Sequence, residues 1–252
     1  KRTGKGCIAG AACRWNLQYV DPDRSSRECK TGAVISMYTN DGSKLLPRPI
    51  SICEIDKEGG KLRVVYRVTG EKTGTEEFSQ MKAGDTIPVI GPLGNGFPFE
   101  KTEGKKVFLM GGGIGVPPIL ELAKQMECEK KQIVVGYRDA HTFLKEEFEQ
   151  AGELYISTED GSVGTKGNVM DAIRENALEA DMIYACGPTP MLRAIKQYAE
   201  TKRNRMLYFS GRENGMWNRC LSCVRVQVKG KGCAQQCAQT NVSVKERTGI
   251  SF

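Results

Sequence analysis

The sequence predicts a small antiparallel β-barrel over residues 1–100, a doubly wound parallel α/β domain over residues 101–210, and an irregular cysteine-containing tail over residues 211–252. Three observations lead there. Residues 34–99 break into short strands punctuated by turn residues. From Lys105 onward, strands alternate with helix-length segments. Where that alternation starts, the apolar run Val107-Phe108-Leu109-Met110 enters Gly111-Gly112-Gly113-Ile114-Gly115-Val116 and restarts as a helix at Pro117-Pro118. Short strands at such spacing suit an antiparallel barrel. Alternating strand and helix suit a parallel sheet covered on both faces.

Taken in order, residues 1–33 are atypical and hold Cys7, Cys13 and Cys29. A strand at 34–38 ends in the turn Asn40-Asp41-Gly42, and a strand at 49–55 in the turn Glu58-Gly59-Gly60. Residues 61–69 alternate around Leu62, Val64 and Tyr66, and 86–90 close the series. The glycine-rich run Gly91-Pro92-Leu93-Gly94-Asn95-Gly96-Phe97 precedes a domain boundary near residues 100–105. The second domain reads as strands at 106–110, 132–137, 154–158, 182–186 and 206–210. Helices are expected at 118–126, 142–151, 168–176 and 190–201. A ligand of such a sheet lies beyond the carboxyl ends of its strands.

Composition narrows the class. Hydrophobic residues make up 39% and charged residues 27%, ordinary for a soluble globular protein. No apolar run approaches the ~20 residues of a bilayer span, and residues 1–10 lack the apolar stretch of a secretory signal. The expectation is a cytoplasmic protein without a membrane partner. The net charge of +7 sits at the two ends. Residues 1–33 hold seven Lys/Arg against three Asp/Glu, and residues 211–252 seven against two, which leaves the middle at −2. A nucleic-acid surface would not be confined to two tails, so none is expected. Of ten cysteines, Cys53, Cys128 and Cys186 stand alone in apolar surroundings and read as buried small hydrophobes. Cys220, Cys223, Cys233 and Cys237 cluster as C-x2-C-x9-C-x3-C, and four thiolates so close suggest a metal or iron–sulfur site.

Four motifs carry chemistry. The run 111–115 is a glycine turn at a helix N-terminus, where free N–H groups and the helix dipole suit a pyrophosphate; the alternative is a purely structural turn. Arg48-Pro49-Ile50-Ser51 opens a strand with a guanidinium able to grip a phosphate, against the alternative of an exposed surface turn. Tyr66-Arg67-Val68 offers an aromatic and a cation, and Gly74-Thr75 a turn with exposed N–H donors. Cys186-Gly187-Pro188-Thr189-Pro190-Met191 repeats the strand–turn–helix geometry at another carboxyl edge.

Together, R-P-x-S, G-P-L-G-x-G-F, G-G-G-I-G-x-P-P and C-G-P-x-P-M-L resemble the ferredoxin–NADP reductase superfamily, and within it the electron-transfer subunits of class B dihydroorotate dehydrogenase. The resemblance covers residues 34–210. It implies an FAD-binding barrel, a nicotinamide-nucleotide-binding domain and a C-terminal [2Fe–2S] cluster. NADH would give a hydride to FAD, and single electrons would pass through the cluster to FMN in a catalytic partner subunit. It further implies that Arg48, Pro49, Ile50, Ser51, Val65, Tyr66, Arg67, Gly74 and Thr75 contact FAD. Gly111, Gly112, Gly113, Gly115, Cys186, Gly187 and Pro188 would face the nicotinamide nucleotide. Alternatives are another flavin reductase subunit of the superfamily, or a flavoprotein remnant whose tail is a zinc-binding interaction module.

The tail departs from the family. The family's cluster loop reads roughly Glu-Glu-Arg-Met-Ala-Cys-Gly-Ile-Gly-Ala-Cys-Leu-Ala-Cys, whereas residues 211–223 read Gly-Arg-Glu-Asn-Gly-Met-Trp-Asn-Arg-Cys-Leu-Ser-Cys. Codons for residues 213–221 can be written so that reading from the second base restores Arg-Met-Ala-Cys-Gly-Ile-Gly-Ala and opens a cysteine codon. Met216 and Trp217 have single codons, so the shifted Cys-Gly is forced. The same shift permits cysteines at Leu221, Val224 and Val242. At the front, Trp15-Asn16-Leu17-Gln18-Tyr19 can be recoded as Gly-Ile-Tyr-Ser-Met, and Lys30-Thr31-Gly32-Ala33 as Lys-Pro-Gly-Gln. Residues 1–33 and 211–252 are therefore expected to be out-of-frame translations flanking an intact core, the alternative being a divergent natural tail. Cys220, Cys223, Cys233 and Cys237 would then form at most a makeshift metal site.

Overall fold

The computed structural model describes residues 2–4, 13–18, 31–82, 85–94, 96–98, 102–202, 205–209 and 224–227. The first lobe contains β1 (Arg2–Gly4), β2 (Cys13–Gln18), β3 (Val34–Met37), β4 (Arg48–Asp56), β5 (Lys61–Tyr66), α1 (Gly74–Gln80) and β6 (Val89–Leu93). Its strands form one six-stranded sheet in the order β1-β2-β5-β4-β3-β6, with every neighbouring pair antiparallel. This is the antiparallel lobe that the short, turn-punctuated strands predict.

The second lobe follows with β7 (Lys106–Gly112), α2 (Pro117–Gln125), β8 (Lys130–Tyr137), α3 (Lys145–Ala151), β9 (Glu153–Thr158) and β10 (Thr165–Lys166). It continues through α4 (Val169–Glu175), β11 (Met182–Cys186), α5 (Thr189–Lys202), β12 (Arg205–Phe209) and β13 (Val224–Gln227). The sheet order is β10-β9-β8-β7-β11-β12-β13. All pairs are parallel except the last, β12 with β13. Strand order thus reverses between β7 and β11, the switch point of a doubly wound sheet.

Three differences from the expected elements have local causes. Helix α1 was not expected; it is only seven residues long and opens on a glycine, but the Thr73 hydroxyl accepts a hydrogen bond from Glu76 N and starts it. Strand β6 lies at Val89–Leu93 rather than 86–90, because Met37 pairs with Val89 and Val34 with Leu93. Helix α3 begins at Lys145 rather than 142, since Leu144, buried, adopts a left-handed φ of 65° and cannot continue a helix upstream.

Packing follows the strand period of two. Along β7, Phe108 and Met110 join a core with Val134, Ile173, Ile183 and Ile195. Val107 and Leu109 face the opposite side, with Ile119, Leu122, Phe148 and Tyr184. That second core also takes in Cys53, Val65 and Phe97 from the first lobe, so the lobes share buried apolar surface. A third core, around Ile35, Ile52, Leu62, Val64 and Phe78, belongs to the antiparallel lobe alone.

Candidate functional site

The sequence motifs converge on the space between the sheets. Antiparallel pairing between β4 and β5 ends at Ile52 and Val64. Beyond it, Ile50 and Ser51 pair with Ile35 and Val34 of β3, while Val65 and Tyr66 pair with Arg14 and Cys13 of β2. The two strands therefore splay apart where Arg48–Ser51 and Val65–Arg67 lie, with no ladder between them.

Arg48 is half-buried and donates from Nη1 to the Leu46 carbonyl. Its guanidinium lies against the backbone of Gly74: a Cβ there would sit 3.2 Å from Arg48 Nε and 2.9 Å from Thr39 Cγ2. Among the described residues Arg48 has no ion pair, so its charge remains for an anionic ligand. The buried Thr75 hydroxyl accepts from Thr69 N at 3.1 Å and shares a hydrogen bond with Thr73 Oγ1 at 3.0 Å, which fixes the turn before α1. Pro49 is exposed, Ser51 half-buried and Ile50 buried. Val65 and Tyr66 send their side chains into the cores, Tyr66 edge-on to Phe78 with ring centroids 6.1 Å apart. Only their backbone faces the splayed gap. A polar cradle whose guanidinium has no ion pair among the described residues, with no filling side chain at Gly74, fits a flavin dinucleotide.

On the other side, Gly111 and Cys186 are direct register partners at the carboxyl ends of β7 and β11. Both glycine turns thus open at the switch point. The glycines there serve different ends. A Cβ on Gly115 would lie 2.5 Å from the Cys186 carbonyl carbon and 2.7 Å from Gly187 N; on Gly111, 3.0 Å from Val116 Cα. On Gly112 or Gly187 it would strike Met191 Sδ. Only at Gly113 (φ 52°) is the space open, and there the nearest atom is Arg67 Nη2 at 3.9 Å. Arg67, exposed and without an ion pair among the described residues, thus reaches from the end of β5 to the glycine turn of residues 111–115. Cys186 is buried, and burial pushes its thiol up to about 12, so it is a neutral group. Pro188 is exposed beside it.

Two residues of the quoted motifs have roles that the sequence does not disclose. Met191 of α5 fills the space that Gly112 and Gly187 leave. Phe97 rests on Gly32 and edge-on to Tyr184 at 5.9 Å, while Tyr184 Oη donates to the Pro98 carbonyl at 2.9 Å, tying the connecting segment to β11. Asn95 of that segment lies outside the described residues, as do Cys220, Cys223, Cys233 and Cys237 and most of the two tails. Among the described residues, no group of three or more His, Cys, Asp or Glu is placed to hold a metal ion. The spacing of the tail cysteines does not match that of plant-type clusters.

Comparison with known proteins decides the family. The family model described as "Oxidoreductase NAD-binding domain" matches residues 109–197. The dihydroorotate dehydrogenase B (NAD(+)) electron transfer subunit of Bacillus caldolyticus is 46% identical over 187 residues, covering 71% of this chain and 70% of that protein. Its counterpart in Streptococcus mutans is 40% identical over 214 residues, covering 82% and 81%. The chain belongs to this family of electron transfer subunits. A solved structure of an NADH-dependent reduced ferredoxin–NADP oxidoreductase, described for flavin-based electron bifurcation, superposes with a TM-score of 0.74 at 28% identity, over 87% of this chain and 80% of that one. The family's fold, an antiparallel flavin lobe followed by a parallel nucleotide lobe, is the one observed. Among the described residues, no helix is long and apolar enough to cross a membrane.

Proposed function

We propose that this chain exchanges a hydride between a nicotinamide dinucleotide and FAD, as the flavin half-reaction of a cytoplasmic hetero-oligomer in pyrimidine biosynthesis, whose family passes the electrons on through a [2Fe–2S] cluster to the FMN of a dihydroorotate dehydrogenase catalytic subunit. The observation that carries this reading is the meeting of Arg67, at the end of the splayed strand β5, with Gly113 at the switch point. It brings a flavin cradle and a nucleotide turn to one place. When bound, FAD supplies hydride acceptance and release of electrons one at a time.

The chain's own residues supply binding and orientation. Arg48, with Gly74 and Thr75 beneath it, sets charge and N–H groups toward the flavin's pyrophosphate. Pro49–Ser51 and the backbone of Val65–Arg67 line the isoalloxazine slot. Gly111–Gly115 and Cys186–Pro188 receive the nicotinamide nucleotide, with Gly113 the point of backbone contact and Cys186 a neutral neighbour of the pyridine ring. Residues 1–100 act as the flavin domain and 101–210 as the nucleotide domain. The relatives' names carry NAD(+), the acceptor when dihydroorotate is oxidised; the same site serves NADH in reverse.

The test is direct. Purified chain should retain or take up one FAD, and anaerobic NADH should bleach its absorbance. Protein that shows no flavin and takes up none added overturns the assignment.

A further inference from the structure

Away from the cofactor motifs, the lobes are joined by charged side chains whose partners come from both. Arg63 of β5 donates from Nη1 to Glu54 Oε2 of β4 at 3.0 Å and from Nη2 to Glu147 Oε1 of α3 at 2.7 Å. Its side chain is 18% exposed. Lys124 of α2 pairs with the other Glu54 oxygen. Glu121 of α2, 3% exposed, accepts from the Ile55 amide of β4 at 2.9 Å and from Gln125. Two basic groups thus sit among three carboxyls across the interface, beside the apolar core that the two lobes share.

These residues sit on the same elements as the cofactor motifs. Strand β4 carries Arg48–Ser51 at one end and Glu54–Ile55 at the other. Strand β5 carries Arg63 first and Val65–Arg67 last. Helix α2 starts at the glycine turn and presents Glu121 and Lys124 further along. At about 3.3 Å per strand residue, Ile55 lies roughly 13 Å from Ser51. A tilt of about 5° at that joint moves the motif by roughly 1 Å, a displacement that costs on the order of a hundredfold in a positioned reaction. Apolar packing alone tolerates such a slide; part-buried ionic hydrogen bonds from one guanidinium to carboxylates of both lobes do not.

We propose that Arg63, with Glu54, Glu147, Lys124 and Glu121, forms a positioning clasp that sets the angle between the flavin lobe and the nucleotide lobe, and through it the hydride-transfer distance. The clasp's effect on hydride transfer rests on the functional reading above; its effect on the lobe joint does not.

The experiment uses the full chain, with Arg63→Met, Glu147→Gln and their combination. At saturating NADH, stopped-flow flavin reduction should slow about tenfold in Arg63→Met. FAD retention, NADH KM and reduction by dithionite should stay within about twofold. Glu147→Gln, nearly isosteric, should show a smaller loss, and the double variant no more loss than Arg63→Met alone. In the cofactor-free chain, hydrogen exchange of the Ile55 amide and of α2 should quicken in Arg63→Met while the urea midpoint of the whole fold holds. An unchanged reduction rate, or a loss matched by lost FAD, overturns the clasp's role in positioning. Unchanged exchange at Ile55 and α2 overturns the clasp itself, whether or not the wild-type chain binds flavin.

Discussion

Gly113 and Gly115 stand two residues apart and answer to different constraints. Gly115 is enclosed by the backbone of Cys186 and Gly187, which cannot yield as a side chain can. Gly115→Ala is expected to cost about 1–3 kcal/mol of stability by overpacking, read as a lowered urea midpoint, and to disturb both glycine turns at once. Gly113 faces open space at positive φ. Gly113→Val should leave FAD bound while flavin reduction by NADH slows strongly; unchanged stopped-flow traces would refute the nucleotide's placement. Arg48→Ala should weaken FAD retention by about 1.5–3 kcal/mol, the worth of a charged hydrogen bond, seen as flavin lost on gel filtration. Arginine and glycine announce such roles in sequence because charge and absent side chains are properties of the residue itself. Met191 does not, since its place under Gly112 and Gly187 exists only once α5 folds back over the turn. Val65 and Tyr66 show the converse: they fall within a motif, yet their side chains belong to the cores.

At the scale of the element, α2 couples the glycine turn to the first lobe through one buried acid. Burial raises the Glu121 carboxyl above its usual 4.5, against hydrogen bonds from the Ile55 amide and Gln125 that lower it. A folded-state value above the unfolded one means that the folded chain holds this proton more tightly. The associated stability is fully present in acid below about 4.5 and is lost as pH rises through the folded value. Glu121→Gln keeps an acceptor for the Ile55 amide but removes the titration. Its urea midpoint relative to wild type should therefore rise as pH goes from about 4.5 to about 7.5; a constant difference would refute the linkage. Glu54 beside it behaves oppositely. Burial would raise its carboxyl, but hydrogen bonds from Lys124 and Arg63 outweigh that and hold it lowered, so its contribution is lost as pH falls. The five longer parallel strands of the second lobe and its helices were legible from their apolar runs, whereas the two-residue β10 and the antiparallel β13 were not. Helix α1 was not, being seven residues started by a cap rather than by an apolar stripe. Glu121 was not either, because an acid four residues into a helix reads as a solvated face until β4 is packed on it.

At the scale of the whole molecule, strand–helix alternation with short connections leaves few topologies open, which is why a doubly wound parallel sheet could be anticipated. The pairing of the lobes could not, since the ions that join them look like ordinary surface charge in sequence. The same distinction governs electron relay. Every motif of the flavin half-reaction lies within residues 34–210, so that half should survive in the chain as written. Relay beyond the flavin needs four thiolates at defined separations. At the places where the out-of-frame reading expects the family's ligands, this chain has Met216, Leu221, Val224 and Val242, and none is a thiolate. The chain reconstituted with iron and sulfide is therefore expected to give no stoichiometric [2Fe–2S] EPR signal and no electron transfer to the FMN of the proposed catalytic partner, while NADH still bleaches its flavin. A version with the reading frame restored over residues 1–33 and 211–252 should recover cluster absorbance and NADH-to-orotate activity together. A full cluster signal from the unaltered chain would mean that Cys220, Cys223, Cys233 and Cys237 can assemble one after all, and the out-of-frame reading of the tail would lose its consequence for function.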